Sequence, residues 1–447
     1  MIGFSGTRKW VYPMSVTGRF QRLRRWTFLA LYVVLFVPPW ITIGGHPMLR
    51  LDLENRELYS FGAIFTASDS ILLLLMLLFL AFALFFFTSL FGRLWCGYAC
   101  PQTVFLEAWI RPIEEWIEGN WTQRRRRDQG PWTLDKAWRK AAKWSAFAVV
   151  SVLAAVAFMS FFAGARELWT GRAGPVEYSL VGIFAGVWFL DFAWFREQFC
   201  TYLCPYARFQ SALTDDQTLN IMYDTARGEP RGGMAARQEG HCIACNKCVA
   251  VCPAGIDIRN GFQLECIACA RCVDACEDVM GRLGHETLVD YNTVATAQGR
   301  PPRRLRPRTV AYATLLTGIA AAFVLMLMDR TPFEATVSRA PGSLFTVDAD
   351  GFVRNTYILR ITNNDPAPEP LPFHVTVEGL HGATVTAQDI RLGSTESAAL
   401  PLVIRVPVSP GMPRTLPLRV RVTSPRHGLR LDTTFKSGGA LAAADPD

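Results

Sequence analysis

Eight cysteines between positions 242 and 276 constrain the fold of this chain more than any other feature. They form two arrays, CIACNKCVAVC from Cys242 and CIACARCVDAC from Cys266, and each has the spacing C-x2-C-x2-C-x3-C. This spacing is typical of segments that hold a [4Fe–4S] cluster, so the chain is predicted to carry two clusters and to move electrons one at a time. A pair of zinc sites is the alternative because C-x2-C pairs also bind zinc, but the x3 spacing before each fourth cysteine favours iron–sulfur clusters.

The ligand sets of the two predicted clusters are expected to cross. In two-cluster ferredoxins the fourth cysteine of each array binds the other cluster. The first set is therefore predicted to be Cys242, Cys245, Cys248 and Cys276, and the second Cys252, Cys266, Cys269 and Cys272. Pro253 follows the first array as in the bacterial motif, whereas Glu277 follows the second, a departure that removes no ligand.

The remaining four cysteines form two C-x3-C-P motifs, each after a long apolar run: Cys96, Cys100, Cys200 and Cys204. Residues four apart share a helix face, so the two sulfurs of each motif are expected to point the same way, with the proline bending the chain beside the second. Paired soft thiolates favour Cu(I). Reversible disulfide chemistry and the packing of small residues at helix ends are the alternatives.

Half of the residues are hydrophobic, and they are concentrated in blocks, which indicates a membrane protein. Five spans are predicted, at about 26–45, 71–91, 144–163, 179–195 and 310–328. The first is too long for a signal-peptide core and lacks an A-x-A cleavage site, so it is predicted to be an uncleaved helix. Asp191 lies near the end of the fourth, where a carboxylate is costly unless it reaches the interface.

Basic residues indicate the orientation of these spans. The formal net charge is +8, and Lys and Arg cluster beside the apolar blocks, so they are interpreted as topology determinants and no nucleic-acid partner is expected. The successive connections contain 6, 2, 10, 2 and 14 Lys and Arg residues. This alternation predicts a cytoplasmic N-terminus and cysteine-rich region and a C-terminal segment outside. All cysteines then face the cytoplasm, where thiols stay reduced.

An internal repeat and a change of composition organise the chain. LFGRLWCGYACPQTVFLEAW from position 90 aligns with WFREQFCTYLCPYARFQSAL from position 194, which predicts two hairpins that each deliver one C-x3-C-P motif to the same membrane face. After the last span, period-2 alternation predicts about seven strands and an immunoglobulin-like sandwich.

The predicted fold is thus a polytopic α-helical membrane protein with a two-cluster ferredoxin domain and a C-terminal all-β sandwich. The domains are a cytoplasmic N-terminus, a four-span membrane region, a cytoplasmic ferredoxin domain, a fifth span, a periplasmic immunoglobulin-like domain and a disordered tail: residues 1–25, 26–199, 200–309, 310–328, 335–437 and 438–447.

The spans, both C-x3-C-P motifs, the double cluster region and the outer sandwich together resemble the cytochrome c oxidase accessory protein family of the CcoG/FixG/RdxA type over nearly the whole chain. The resemblance implies a bacterial inner-membrane protein that supports assembly of cbb-type cytochrome c oxidase and reduces Cu(II) to Cu(I). It implies copper, as substrate or bound ion, at Cys96, Cys100, Cys200 and Cys204, and oxidase assembly factors or copper chaperones as partners. The electron donor is not indicated.

Three functions are therefore carried forward. The first is a membrane cupric reductase. The second is a quinol-linked electron-transfer polyferredoxin, marked by reduction of the clusters by a quinol. The third is a non-enzymatic copper-binding scaffold whose outer domain docks a partner, marked by copper binding without turnover.

Overall fold

The computed structural model describes residues 10–66, 69–232, 240–303, 305–365, 369–409, 411–425 and 427–438. The chain divides into two compact units, one of residues 1–40 and 73–323 and the other of residues 41–72 and 324–447. The predicted disordered tail lies, from residue 439 onward, outside the described residues.

Helices dominate the first unit. In chain order the α-helices are α1 (Arg19–Phe36), α2 (Ser70–Phe91), α3 (Leu94–Tyr98), α4 (Pro101–Phe105), α5 (Arg111–Glu118), α6 (Trp121–Gln129), α7 (Leu134–Ala163), α8 (Ala165–Trp169), α9 (Pro175–Leu190), α10 (Pro205–Leu213), α11 (Thr225–Gly228), α12 (Lys247–Ala250), α13 (Arg271–Arg282), α14 (Val294–Ala297) and α15 (Pro307–Met328). Shorter 3-10 turns cover Pro38–Trp40 and Ile258–Asn260, and π-helical turns cover Leu106–Ile110, Asp191–Phe195 and Phe199–Leu203.

Among the described residues, four helices are long and apolar enough to cross a membrane: Ser70–Phe91, Leu134–Ala163, Pro175–Phe195 and Pro307–Met328. They correspond to the second to fifth predicted spans. The helix α7 begins ten residues earlier than its predicted span. Thr133 caps this earlier start, because its hydroxyl oxygen accepts a hydrogen bond from the Lys136 amide. The first turns of α7 are charged, so the apolar pattern does not include them.

The first predicted span is not one continuous helix over residues 26–45, so that prediction is wrong in its bounds. The helix α1 starts earlier, at Arg19, and ends at Phe36. Pro38 and Pro39 follow, and since proline lacks a backbone N–H the chain leaves the helix there and enters a 3-10 turn and then a strand. The apolar part of α1 from Trp26 is only about 16 Å long, at 1.5 Å per residue.

The membrane helices α7 and α9 pack on each other through small and aromatic side chains. Ala155, Met159 and Val181 are buried in one cluster, and Phe147 and Phe192 in another. Small residues let two helices approach closely, which is the usual way helices associate in a membrane. This packing fixes the second hairpin, whose end carries the second C-x3-C-P motif.

The cysteine arrays lie in a small domain built on one two-stranded sheet. Strand β6 (Asn220–Tyr223) pairs antiparallel with β7 (Val289–Asn292), so residues on either side of both arrays are brought together. The helices α12 and α13 each begin one residue before the third cysteine of an array, Cys248 or Cys272. Val273 and Met280 on α13 are buried against Ile221 of the sheet.

The second unit is a β-sandwich. Its strands after the last membrane helix are β8 (Phe333–Arg339), β9 (Thr346–Val347), β10 (Phe352–Asn363), β11 (Leu371–Glu378), β12 (Thr384–Thr386), β13 (Ile390–Leu392), β14 (Ser397–Pro407), β15 (Thr415–Thr423) and β16 (Gly428–Lys436). One sheet has the order β12-β14-β10-β8, with β9 also on β10, and the other has the order β13-β11-β15-β16. The described residues thus form more strands than the seven or so predicted, because short strands such as β9 and β12 show too little alternation.

Residues 41–66 also belong to the second unit, although the sequence predicts only a connection there. They form five short strands: β1 (Thr42–Ile43), β2 (His46–Pro47), β3 (Leu49–Asp52), β4 (Glu57–Ser60) and β5 (Ala63–Phe65). Arg330, just after α15, pairs with Asp69 at 2.7 Å and donates a hydrogen bond to the Ile64 carbonyl. The early strands are therefore tied to the chain that enters the sandwich.

Candidate iron–sulfur and thiol centre

The two cysteine arrays adopt the same strained backbone. Ala244 and Asn246 in the first array and Ala268 and Ala270 in the second have φ values of 53°, 58°, 51° and 58°. A residue with a Cβ atom in this left-handed region costs roughly 1–2 kcal/mol, and such strain is typical of ligand-binding loops. The sequence repeat is therefore also a repeat of conformation, at corresponding positions of the two loops.

The eight cysteines surround two small cavities. One is lined by Cys242, Cys245, Cys248 and Cys276. The other is lined by Cys252, Cys266, Cys269 and Cys272, together with Cys248. Each cavity thus collects three cysteines of one array and the fourth of the other, which is the grouping that the spacing predicts. Four thiol donors around one cavity fit a [4Fe–4S] cluster in both cases, while the individual ligand assignments remain predictions.

The two cavities differ in their access to solvent. Cys245 of the first set is exposed, whereas Cys269 of the second is buried at 6% exposure. The first set therefore lies at the surface of the domain, and the second lies on the side that faces the C-x3-C-P motifs.

Each C-x3-C-P motif begins after a left-handed residue that ends a membrane helix. Gly92 has φ 55° and Arg196 has φ 53°, and each precedes the first cysteine of its motif by four positions. A Cβ atom on Gly92 would come within 2.8 Å of the Leu219 carbonyl oxygen, so glycine is required there. Arg196 adopts this positive φ although it has a Cβ atom, and its guanidinium group forms an ion pair with the Glu114 carboxylate at 2.9 Å. The alignment of the two motifs in the sequence therefore reflects one repeated local structure.

The two cysteines of a motif do not lie on one continuous helix, which corrects the predicted shared helix face. Cys96 lies in α3, but Cys100 and Cys204 are the N-cap residues of α4 and α10, with extended ψ values of 126° and 113°. Proline follows each N-cap at the first helical position and disfavours a helical backbone in the residue before it. The sulfurs are brought together by a helix break and not by helical periodicity.

The four thiols of the two motifs nevertheless converge on one place. Cys96 interacts electrostatically with Cys100 and Cys204, Cys200 interacts with all three, and Arg93 lies beside them. Burial raises the pKa of the Cys96 thiol to about 11 and that of Cys200 to about 12, while the charge of Arg93 opposes both shifts. Binding of a metal ion here therefore requires it to displace thiol protons.

This thiol cluster, Cys96, Cys100, Cys200 and Cys204, is not arranged as a preformed single-ion site. Over the described ranges no group of three or more Cys, His, Asp or Glu side chains has the geometry to hold one metal ion. The structure brings together all four residues that the sequence predicts for copper, but it does not itself identify copper.

Gly97 joins the thiol cluster to the second cysteine array. A Cβ atom on Gly97 would lie 2.5 Å from the Ile267 carbonyl oxygen and 2.9 Å from the Cα atom of Cys269. Arg24 fixes the contact, since its Nε atom donates to the Gly97 carbonyl at 2.9 Å. The sequence reasoning missed Gly97; the available signal was a glycine between the cysteines of the first motif, where the second has Thr201.

A cavity of about 440 Å³ opens beside Cys200. Its walls come from the second C-x3-C-P motif, from residues on either side of the first, and from residues that follow Cys252 and precede Cys269. They include Arg93, Gln102, Cys200, Ala207, Arg208, Pro253, Leu264 and Ile267, and also the carboxylates of Glu107, Glu197 and Glu265. The mixture of apolar and charged side chains is suited to a small molecule next to the thiol cluster.

Buried ion pairs hold these elements together. Glu107, in the π-helical turn, contacts Arg24, Arg111 and Arg271, which come from α1, α5 and α13. Burial alone would raise the pKa of Glu107, but the three arginines outweigh it and lower the pKa to about 2. The carboxylate is therefore ionised at any physiological pH and anchors the cysteine domain to the helices that carry the first motif.

Comparison with known proteins gives the family. The chain is 33% identical to the nitrogen fixation protein FixG of Rhizobium meliloti, over 98% of this chain and 90% of that protein. The chain belongs to the FixG family. Proteins RdxB and RdxA of Cereibacter sphaeroides are 35% and 33% identical to it, each over 83% of both chains.

Family models agree with this assignment. Residues 195–294 match a 4Fe-4S dicluster domain, residues 73–126 match a 4Fe-4S binding domain, and residues 323–437 match the IG-like fold at the C-terminal of FixG. This FixG-family chain is thus an iron–sulfur electron-transfer protein. The match over 73–126 contains only Cys96 and Cys100, half of a four-cysteine set; the structure supplies Cys200 and Cys204 beside them.

Proposed function

We propose that this FixG-family protein is a membrane cupric reductase, which reduces Cu(II) to Cu(I) at the thiol cluster and supplies the product for assembly of cbb-type cytochrome c oxidase. The observation that carries the proposal is the contact at Gly97. It places the backbone of the first C-x3-C-P motif against the Ile267–Cys269 segment, within the second set of predicted cluster ligands.

The predicted cluster sites and the thiol cluster would both handle one electron at a time. The cysteine arrays would hold [4Fe–4S] clusters, which would supply electrons singly, and reduction of Cu(II) to Cu(I) consumes one. The four thiols of the thiol cluster release protons when copper binds, and their sulfur atoms stabilise Cu(I), the soft product ion. Arg93 stabilises the thiolate forms by its charge. Cys96 is buried, at 6% exposure, and Cys100, Cys200 and Cys204 are half-buried.

The proposal includes five membrane crossings, with α1 and the 3-10 turn after it forming the first. At one end, Arg24 binds the Gly97 carbonyl beside the thiol cluster. At the other, Trp40 packs against Trp169 with ring centroids 6.3 Å apart, and Trp169 lies beyond the far end of α7. The helix α1 and its 3-10 turn therefore reach from the thiol cluster to residues beyond the far end of α7, and we assign them the first crossing.

The alternation of basic residues then gives the sides of a bacterial inner membrane. The N-terminus and the cysteine domain lie in the cytoplasm, and the sandwich lies in the periplasm. The sandwich has no cysteine. We assign to it the docking of copper chaperones or oxidase assembly factors and no redox step.

The test is a copper assay on protein purified without oxygen. The fourfold variant Cys96→Ser, Cys100→Ser, Cys200→Ser and Cys204→Ser is expected to keep the EPR signal of the clusters and to lose copper binding. The control Cys269→Ser is expected to keep copper binding and to stop multiple turnover. Wild-type reduction rates in the fourfold variant would contradict the proposal. So would about twelve iron atoms per chain in place of about eight, since the thiols would then hold a third cluster.

The cavity beside Cys200 favours a second candidate, quinol-linked electron transfer. Its volume of about 440 Å³ lies in the range of small-molecule sites. Filling it with Ala207→Phe is expected to block reduction of the clusters by a short-chain quinol if this function holds. Ala212→Phe, at an exposed position of the same helix α10, is the matched control. Absence of quinol reduction in the wild-type protein removes this candidate.

A further inference from the structure

A separate cavity of about 520 Å³ lies between residues 13–17, α1 and the start of α5. Seven charged side chains line it, five guanidinium groups and two carboxylates: Arg24, Arg25, Arg111, Arg124, Arg271, Glu107 and Glu115. No step of the proposed copper reduction uses this cavity.

The charges around this arginine cavity are not balanced. Glu107 is shared by Arg24, Arg111 and Arg271. Arg111 also pairs with Glu197 at 2.6 Å, and Arg124 pairs with Glu114 at 2.7 Å, so Arg24 and Arg271 have only their share of Glu107. Arg25 is exposed and, within the described part of the chain, no carboxylate lies within ion-pair distance of it. The cavity therefore has an excess of positive charge and is suited to an anion.

The part of α1 that follows Arg24 and Arg25 lines the arginine cavity with apolar side chains. Phe28, Leu29 and Tyr32 line it from α1, one to two turns beyond Arg24 and Arg25. Leu29 remains 53% exposed, and Val33, one turn further, is 52% exposed. An apolar strip thus leads out of the cavity along the helix.

Exposed tryptophans mark the level of the membrane surface here. Trp26 on α1 is 71% exposed and Trp116 on α5 is 85% exposed. Exposed tryptophans next to apolar helices are typical of the boundary between headgroups and acyl chains. The two exposed tryptophans flank the elements that form the arginine cavity, which is the arrangement expected if its cationic end faces water and its apolar end faces lipid.

We propose that the arginine cavity binds an anionic glycerophospholipid. The phosphodiester lies against Arg25 and the under-neutralised arginines, because guanidinium groups form strong charge-assisted hydrogen bonds with phosphate oxygens. One acyl chain follows Phe28, Leu29 and Tyr32. Basic pockets at the ends of membrane helices recognise anionic headgroups in this manner. A soluble phosphate would use the arginines but leave the apolar strip uncovered.

The test measures the thermal stability of the full chain, with its clusters, in a neutral detergent. Phosphatidylglycerol is expected to raise the melting temperature by several degrees, and phosphatidylcholine with the same acyl chains is not. Equal effects of the two lipids would overturn the proposal. An equal effect of inorganic phosphate alone would also overturn it, because the cavity would then take a soluble anion.

Matched variants locate the effect. Arg25→Gln is expected to remove at least about half of the stabilisation by phosphatidylglycerol, while Arg22→Gln, exposed on the same helix and outside the cavity, keeps it. Leu29→Asn tests the apolar strip against Leu23→Asn, which is exposed to a similar degree at 55%. Both residues of each pair are at the surface, so the variants are expected to fold. Equal losses within a pair would contradict the assigned site.

Discussion

At the scale of single residues, Gly97 allows a close contact between the thiol cluster and the second cysteine array. Its missing side chain lets two backbone segments touch that are far apart in the sequence, and the neighbours of the absent Cβ atom are main-chain atoms of Ile267 and Cys269. Main-chain atoms cannot move aside as the end of a flexible side chain can. A methyl group at this position must therefore separate the two segments.

Gly97→Ala is accordingly expected to lower the free energy of unfolding by about 1–3 kcal/mol, the usual cost of overpacking. It is also expected to change the EPR signal assigned to Cys252, Cys266, Cys269 and Cys272 and to slow copper reduction. The matched control is Gly281→Ala in α13, where a Cβ atom meets nothing within 4 Å. An unchanged EPR signal and rate in Gly97→Ala would mean that the contact has no role in electron transfer.

The chemistry of the site could be predicted from sequence, but its closest contact could not. Eight cysteines at fixed spacing define predicted donor sets by local pattern alone, and each predicted set lines one cavity, with Cys248 lining both. Gly97 matters only because of a partner about 170 positions away, and no periodicity or motif reports such a partner. The same is true of Arg24, which is within a basic run in the sequence and almost fully buried in the fold.

At the scale of elements, the Glu114 carboxylate connects three helices, α5, α6 and α7. Its carboxylate pairs with Arg124 of α6 at 2.7 Å, with Arg196 at 2.9 Å and with Lys143 of α7 at 3.7 Å. Burial would raise the pKa of Glu114, but the cations, Arg196 first, lower it to about 2. The carboxylate therefore stabilises the fold in its ionised form.

Glu114→Gln is expected to lower stability by about 3–5 kcal/mol at pH 7, because it leaves buried cations without their partner. The control Glu115→Gln, at an exposed position next in the chain, is expected to change stability by less than about 0.5 kcal/mol. The measurement is thermal unfolding of both variants and the wild type in detergent. Equal losses of stability in the two variants would show that the ion pairs of Glu114 do not stabilise the fold.

The effect of Glu114 also depends on pH. A pKa lowered from 4.5 to about 2 on folding means that the stabilisation is complete above about pH 5 and is lost as the pH falls through 2. The difference in melting temperature between wild type and Glu114→Gln should therefore be constant from pH 7 to 5 and shrink below that. A difference that grows on acidification would contradict this sign.

Helices that coincide with long hydrophobic runs could be predicted from the sequence, whereas helix ends and breaks at prolines could not. The four long apolar helices follow from hydrophobic runs, whereas α1 ends early at Pro38–Pro39 and both motifs break before Pro101 and Pro205. In each case proline overrides a pattern that reads as helical. The strands of residues 41–66 are two to four residues long, too short for alternation to reveal them.

At the scale of the whole molecule, the chain enters the second unit twice, through residues 41–72 and again from residue 324. Because both passages belong to one compact unit, they must lie on the same side of the membrane. Reporters after Asn55, in the turn between β3 and β4, and after Ser338, in β8, should therefore give the same side. A reporter after Gly228, in the cysteine domain, should give the opposite one.

A reporter at the N-terminus, before α1, separates four crossings from five, because only α1 lies between it and Asn55. If the N-terminal and Asn55 reporters agree, α1 does not cross the membrane and the five-crossing topology is wrong. If the Asn55 and Gly228 reporters agree, the error lies in α2, α7 or α9, which separate these two positions. The expected cytoplasmic side for Gly228 rests on the basic residues of its connection, which is the longest of the five.

The link between Arg330 and the early strands has a consequence for biogenesis. Arg330 contacts the Ile64 carbonyl across 266 positions of sequence, and it also stacks over the Phe65 ring at 5.0 Å. During synthesis, β1–β5 emerge long before this partner is made. A chain truncated before Arg330 lacks this contact, and we expect proteases to cleave it within residues 41–66 sooner than they cleave the full chain.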